Sequence, residues 1–161
     1  MSPEHIVQSY TLDSVDERLI AALASFPRAG VLQLAREVGV ARNTVQAHLD
    51  RLLAEGVITG FGPELDLRRL GYGVSAFVSL EITQGRSHDV DEHLLDIPEV
   101  VEAYMTTGPS DLLCRVVARD NDHLGQVINL ILEIPGIART TTALILATRI
   151  APRSRHVIHA D

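Results

Sequence analysis

Apolar residues in the first third of the chain recur at the three- and four-residue spacing of amphipathic helices. The pattern predicts a first helix that begins at the capping residue Asp13 and ends before Pro27, and two more over residues 32–38 and 42–55. Gly39 separates the last two and can adopt the positive φ that a tight turn requires. Two helices joined in this way form a helix-turn-helix, whose second helix can enter the major groove of DNA.

The segment after the third helix is predicted to leave the helical unit. Gly56 supplies a helix stop, and residues 57–61 have the composition of a short strand that would form one side of a wing. Residues 61–73 contain three glycines and one proline and are expected to form a linker strand. We therefore assign residues 1–60 to a winged helix-turn-helix domain and residues 74–161 to a second domain.

Beyond residue 73 the pattern changes to the two-residue alternation of strands, interrupted by two helical stretches. The predicted strands cover residues 74–82, 100–107, 112–118 and 137–150, and the predicted helices cover residues 90–97 and 123–134. The resulting order, βαββαβ, is that of a ferredoxin-like sandwich. The fold class is therefore predicted to be α+β, with an N-terminal winged helix-turn-helix followed by a ferredoxin-like sandwich domain.

The net charge of the chain weakens the prediction of DNA binding but does not exclude it. The formal net charge is −7, which argues mildly against nucleic-acid binding. Residues 1–60 contribute −2 and residues 61–161 contribute −5, so the acidity lies mostly outside the helix-turn-helix. All 14 lysine or arginine positions are arginine, which forms bidentate contacts with phosphate or guanine. A weakly charged reader of double-stranded DNA needs several copies to bind tightly, and we therefore expect an oligomer.

Composition also indicates the cellular compartment of the protein. No apolar run approaches the roughly 18 residues of a membrane span, and residues 1–10, read as a loose arm, lack the apolar core of an export signal. Cys114 is the single cysteine and lies in an apolar run, so we expect an inert core residue and no intrachain disulfide. These features predict a cytoplasmic protein with no membrane partner.

The residues that could carry chemistry show no catalytic pattern. The seven histidines are scattered at positions 5, 48, 88, 93, 123, 156 and 159 without zinc-site spacing, and we predict no metal and no other cofactor. We find no glycine-rich phosphate loop, nucleophile elbow or catalytic carboxylate pair in the sequence, and we predict no catalytic residues. Six aromatic residues are too few for stacking RNA bases on aromatic rings.

A series of short motifs runs through residues 11–150. The motifs are Leu12-Asp13-x-x-Asp16, Arg28, Leu34-Ala35, Val38-Gly39-Val40, Arg51-Leu52, Glu55-Gly56-Val57-Ile58-x-Gly60-Phe61, Leu70-Gly71, Pro98-Glu99-Val100, Thr107-Gly108-x-x-Asp111-Leu112-Leu113 and Pro135-Gly136-Ile137. In their order and spacing they resemble the Lrp/AsnC, or leucine-responsive, family of transcription regulators. The resemblance implies a DNA-binding head, a linking strand and a domain that senses a small effector, such as an amino acid. It also implies assembly into dimers and often octamers.

One departure from the family pattern concerns the third helix, which would be the recognition helix. The family usually begins this helix with Ser or Thr, whereas this chain has Ala41, an N-cap that costs about 1 kcal/mol relative to Ser. Asn43 or Thr44 would instead cap a helix that begins later. Two registers of the DNA-facing residues are therefore open.

A helical wheel of the third helix separates a buried side around Val45 from a polar side. The polar side suits base edges, because Arg and Asn bind guanine and adenine and an Ala methyl contacts thymine. The predicted base-contacting residues are Arg42, Asn43, Thr44 and Ala47, flanked by Gln46 and His48, with Arg36 and Arg51 on phosphates. Asp50 favours the alternative of a solvated face used for protein contacts, because a carboxylate is repelled by phosphate.

The segment between the predicted strands 100–107 and 112–118 has two interpretations. As structure alone it is a hairpin turn, in which Gly108 supplies a positive φ and Asp111 binds local amides. The resemblance implies instead that the loop lines an effector cleft between subunits, where Asp111 would face an ammonium group. The predicted effector-binding residues are Thr106, Thr107, Gly108, Pro109, Ser110, Asp111, Thr140 and Thr142.

Two other functions remain open at this point. Siroheme decarboxylases share the two-domain architecture, but the basic and histidine motif that they carry after the linker is not evident in residues 68–72. The other is a sensing or assembly module whose helix-turn-helix no longer binds DNA. We predict a sequence-specific DNA-binding regulator, not an enzyme, that couples effector binding to DNA occupancy.

Overall fold

The computed structural model describes residues 9–83, 85, 87–152 and 158, with the backbone alone at 87 and 88. Most of the predicted N-terminal arm and the histidines at positions 5, 156 and 159 lie outside these residues. The chain divides into two compact units, with the boundary between Pro63 and Glu64 and the second unit spanning Glu64–Ala151. No helix in the described part of the chain is long and apolar enough to cross a membrane.

The first unit contains the three predicted helices, α1 (Ser14–Ser25), α2 (Val31–Val38) and α3 (Arg42–Ala54). Asp13 caps α1 as predicted, because its side chain accepts hydrogen bonds from the backbone amides of Val15 and Asp16. The carboxylate of Asp16 accepts in return from the Asp13 amide, at 3.2 Å, which completes a capping box.

The turn between α2 and α3 has the geometry that the sequence predicts. Gly39 ends α2 with φ of 76°, and its amide donates to the carbonyl of Ala35 at 3.0 Å. Ala41 is the N-cap of α3 and makes no side-chain capping bond. Because α3 begins directly at Arg42, the alternative of a later start capped by Asn43 or Thr44 is wrong.

The core of the first unit forms where the three helices meet. Leu19, Leu34, Val45 and Leu52 are each at most 1% exposed there. The strand predicted over residues 57–61 is wrong, because these residues form bends and irregular backbone. A strand requires a partner, and the segment instead returns to the helices through Ile58, whose amide donates to the Leu52 carbonyl at 3.0 Å.

The second unit has the predicted βαββαβ order. Its elements are β1 (Val74–Ile82), α4 (Ser87–Leu95), β2 (Val100–Met105), β3 (Leu112–Ala118), α5 (Asn121–Leu132) and β4 (Ile137–Leu144). The four strands form an antiparallel sheet in the order β2-β3-β1-β4. The ferredoxin-like prediction is therefore confirmed.

One face of this sheet carries both helices and contains the core. Ala76, Val78 and Leu80 of β1 are fully buried in a cluster that includes apolar side chains of α4 and α5. Cys114 lies in the same cluster, where burial and the charge of Asp91 raise the pKa of its thiol to about 11. The thiol therefore stays protonated near neutral pH, as expected of an inert core cysteine.

The opposite face of the sheet holds the alternate residues of β1, among them Phe77, which is 39% exposed. No described helix of this unit packs against that face. The last strand is shorter than predicted and ends at Leu144 rather than at residue 150. The pairing of β4 with β1 is antiparallel and brings Leu144 opposite Ala76, and the Ile145 amide still donates to the Ser75 carbonyl, so β4 ends close to the start of β1 at Val74.

Candidate nucleic-acid interface and ligand pocket

The recognition face is the exposed polar side of α3, formed by Arg42, Asn43, Gln46, Ala47 and Asp50. All five are exposed, and Thr44 beside them is partly buried. The side-chain amide of Gln46 donates a hydrogen bond to the Asp50 carboxylate at 2.7 Å, so this acidic group has a partner within the protein. Because α3 directly follows the Gly39 turn, this face has the position of a recognition helix.

Arg36 is exposed near the C-terminal end of α2. The side chains of His48 and Arg51 do not belong to the recognition face, because both turn toward α1. The side chain of His48 is only 16% exposed, and that of Arg51 is 44% exposed. The structure thus separates these two from the other predicted DNA-contacting residues.

The Asp16 cluster is formed by Asp13 and Asp16 of the α1 N-terminus together with His48 and Arg51 of α3. The fully buried Asp16 carboxylate lies 2.8 Å from Nδ1 of His48. Nη2 of Arg51 lies 3.1 Å from both Asp16 oxygens and 3.0 Å from an oxygen of Asp13. The hydroxyl of Tyr10 donates to Asp16 at 3.2 Å.

Electrostatics within the Asp16 cluster favour the ionised carboxylates. Burial by itself raises the pKa of Asp16, but hydrogen bonds from His48, from the Asp13 amide and from Arg51 outweigh it and hold the pKa below its ordinary value. The amide of Asp16, followed by Arg51, likewise lowers the pKa of Asp13. The same carboxylates raise the pKa of Arg51. The cluster is therefore a charged network of two anions and a guanidinium.

Asp13, Asp16 and His48 also bring three potential metal-ligand atoms within 4.8 Å of one another. The arrangement does not fit a metal ion well, because the guanidinium of Arg51 already binds both carboxylates and supplies the compensating positive charge. This cluster was not among the predicted sites. Its signal is two pairs with three-residue spacing, Asp13 with Asp16 and His48 with Arg51, and that spacing places each pair on one helix face.

The loop between β2 and β3 has the geometry of a hairpin turn. The amide of Thr106 donates to the Asp111 carbonyl at 2.9 Å, and its hydroxyl donates to the Ser110 carbonyl at 3.0 Å. Gly108 has φ of 123°, which favours glycine. The Oδ2 atom of Asp111 accepts from the amide of Ile82 at 2.6 Å and so ties the loop to β1.

A pocket of about 280 Å³ lies beside this loop. Its lining residues are Ile82, Thr83, Gly85, Asp91, Met105, Thr106, Asp111 and Leu112. Thr106 and Asp111 are the two predicted effector-binding residues among them. Thr140 and Thr142 lie on β4, opposite Leu80 and Val78, away from this lining.

Comparisons with known proteins cover both units. Residues 12–59 match the family model described as winged helix-turn-helix DNA-binding, and residues 75–154 match the model described as Lrp/AsnC ligand binding domain. The HTH-type transcriptional regulator FL11 of Pyrococcus horikoshii is 31% identical over 137 residues, which cover 85% of this chain and 91% of that protein.

Two further relatives extend this similarity. The HTH-type transcriptional regulator Rv2324 of Mycobacterium tuberculosis is 33% identical over 86% of this chain and 95% of its own length. The structure of Escherichia coli AsnC superposes with a TM-score of 0.84 at 29% identity, covering 91% of this chain and 99% of that one. The similarity therefore includes sequence, domain order and three-dimensional fold.

Proposed function

Because this chain belongs to the Lrp/AsnC family of DNA-binding transcription regulators, we propose that it reads its promoter with the recognition face of α3 under the control of an amino acid. The observation that carries this proposal is the exposure of Arg42, Asn43 and Gln46 directly after the Gly39 turn. These side chains have the donors and acceptors that bind guanine and adenine edges in the major groove. Ala47 offers a methyl group to thymine, and Arg36 would bind phosphate.

Replacing Arg42 with alanine tests the base-reading part of the proposal. The variant is expected to lose about 1–3 kcal/mol of affinity for the protein's own upstream promoter and to relax selectivity at one base pair. The measurement is promoter binding at several salt concentrations, with unrelated DNA as the competitor. Binding that is tight, selective and weakened by salt is expected of the unaltered protein.

Arg18→Ala is the control for Arg42→Ala, because it removes one exposed arginine from α1 and leaves α3 intact. It is expected to preserve base preference. If Arg42→Ala leaves both affinity and base preference at the level of the unaltered protein, the recognition face has been placed wrongly.

We propose that the effector binds in the pocket beside the β2–β3 loop. Asp91 and Asp111 contribute carboxylates to its lining and would face an ammonium group, while Met105 and Leu112 would contact an aliphatic side chain. Asp111 binds the Ile82 amide through Oδ2, and its Oδ1 accepts none of the hydrogen bonds found among the described residues. That oxygen is therefore oriented by the fold and open to a ligand.

A thermal-shift screen against the twenty amino acids tests the effector proposal. A true effector at about one hundred times its Kd stabilises the folded protein by about 2.7 kcal/mol, and this raises the melting temperature. Asp111→Asn is expected to abolish the shift, whereas Asp122→Asn, an exposed position on α5, is expected to preserve it. If no amino acid raises the melting temperature, the effector class is wrong. If Asp111→Asn keeps the shift, the pocket is wrong.

We further propose that the chain works as a dimer, formed through the sheet face that carries Phe77, and that dimers can assemble into octamers. Phe77 lies between Arg115 and Ala143 of the neighbouring strands. The charge of Arg115 is neutralised on that face by Glu102 at 2.6 Å. Two chains paired in this way would present two recognition helices to half-sites about one DNA turn apart. Effector binding would shift DNA occupancy by stabilising one assembly, for which a coupling of about 1–3 kcal/mol is sufficient.

A further inference from the structure

We propose that Asp16 is a positioning residue for DNA recognition, which acts through His48 and Arg51 to set how α3 is seated on α1. This inference depends on the proposed role of the recognition face of α3. It assigns Arg51 to a contact within the protein rather than to a DNA phosphate. The Asp16 cluster, which was not predicted from the sequence, thereby has a function.

The cluster links two helices that are distant in sequence. Asp16 is itself held in place, because Asp13 and Asp16 cap each other at the start of α1. From this fixed point the carboxylate reaches His48 and Arg51, which are 32 and 35 residues further along the chain. His48 directly follows Ala47 of the recognition face, so a shift of His48 moves the base-reading residues with it.

The ionised carboxylates set the hydrogen-bond directions in the cluster, because they can only accept, and the Nη2 atom of Arg51, 3.0 Å from Nδ1 of His48, donates to the carboxylates instead. An ionised carboxylate only accepts, so the 2.8 Å contact to Asp16 requires a proton on Nδ1 of His48. The two N–H groups on Nη2 of Arg51 point at oxygens of Asp13 and Asp16, 3.0 to 3.1 Å away. This guanidinium nitrogen therefore has both of its donors in use. Moving it to a phosphate would leave the buried Asp16 carboxylate without its cation, which is strongly unfavourable.

The apolar contacts between the helices cannot set this orientation alone. Leu19 and Leu52 hold α1 and α3 together by burial, which is non-directional and tolerates small rotations of one helix on another. Bonds from a buried carboxylate to two side chains of α3 restrict such rotation. Base-edge contacts need placement within about 0.5 Å, so the restriction bears directly on sequence selectivity.

The test compares Asp16→Asn, Arg51→Gln and the double variant in promoter binding, in binding to unrelated DNA and in the salt dependence of each. Each single variant is expected to weaken promoter binding by about tenfold, comparable to losing one base contact, with less than about twofold change on unrelated DNA. The salt slope, which is the change in the logarithm of the binding constant with the logarithm of salt concentration, is expected to stay unchanged. The double variant is expected to match Asp16→Asn alone, because both changes break one network.

A direct phosphate contact by Arg51 gives a different result. In that case Arg51→Gln lowers the salt slope by about one and weakens promoter and unrelated DNA equally, and the inference is overturned. Additive losses in the double variant also overturn it. Glu17→Gln removes a negative charge from the same turn of α1 without touching the side-chain hydrogen bonds of the cluster, and it is expected to leave selectivity unchanged.

Folding is checked by helical circular dichroism and melting temperature, and binding is measured well below each melting temperature. If neither Asp16→Asn nor Arg51→Gln folds, the double variant decides the question by selectivity and salt slope, because it removes the buried charge together with its cation. Arg42→Ala distinguishes a misplaced recognition face from a failure of the positioning role. If it has no effect, the recognition face is misplaced. If it acts while Arg51→Gln behaves as a phosphate contact, the positioning role alone fails.

Discussion

Leu52→Ala is expected to lower the free energy of unfolding of the first unit by about 2–5 kcal/mol and to abolish DNA binding at physiological temperature. Leu52 is fully buried where α3 meets the other two helices, so the truncation leaves a cavity that the surrounding side chains cannot fill. Since the core of a small helical unit provides only a few kcal/mol of net stability, most of it would be lost. The second unit has its own core and is expected to stay folded.

The measurement for Leu52→Ala is denaturant unfolding followed by circular dichroism, together with promoter binding. Leu53→Ala is the matched control, because Leu53 is adjacent on the same helix but 38% exposed, and it is expected to cost well under half as much. Equal losses in the two variants would contradict the placement of the core. So would a Leu52→Ala protein that binds the promoter normally.

Phe77→Glu is expected to weaken self-association by about 2–5 kcal/mol, enough to convert dimers into monomers at micromolar concentration. The substitution places a carboxylate on the uncovered sheet face, where the proposed dimer would bury it without a partner. Folding of the single chain is expected to be preserved, because Phe77 is outside the buried cluster between sheet and helices. Promoter affinity is expected to fall with dimerisation, because two heads bind two half-sites together.

Analytical ultracentrifugation over a range of protein concentrations measures this change. Leu130→Glu is the control, since Leu130 is 51% exposed on α5, in the helical layer of the unit. It is expected to retain the dimer. A Phe77→Glu protein that sediments like the unaltered protein would exclude the sheet face as the dimer interface.

Much of the fold could be predicted from the sequence because its signals are local. The cap at Asp13 and the turn at Gly39 each depend on a few neighbouring residues, and both occur as predicted. The start of α3 at Arg42 follows the helical periodicity even though Ala41 is a poor cap. The order of strands and helices in the second unit was likewise readable from periodicity.

Pairing partners were harder to predict. Residues 57–61 have strand composition, but no strand among the described residues pairs with them, and they form bends and irregular backbone against the helices. In β4 the β-branched and apolar pattern continues to residue 150, yet the strand ends at Leu144, close to where its partner β1 begins at Val74. Composition indicates that a segment can form a strand, whereas its length depends on a neighbour elsewhere in the chain.

The candidate sites divide in the same way. The helix-turn-helix, the polar side of α3 and the βαββαβ order can all be predicted from the amino-acid sequence, because helix periodicity, capping and turns are set by residues close together along the chain. Two features depend on the packing of the folded chain: His48 and Arg51 turn from the recognition face toward Asp16, and Thr106 and Asp111 line one pocket together with Asp91. The contacts of Asp16 with His48 and Arg51 join residues far apart in sequence, and they form because a buried carboxylate must find charge-bearing partners wherever the packed helices bring them.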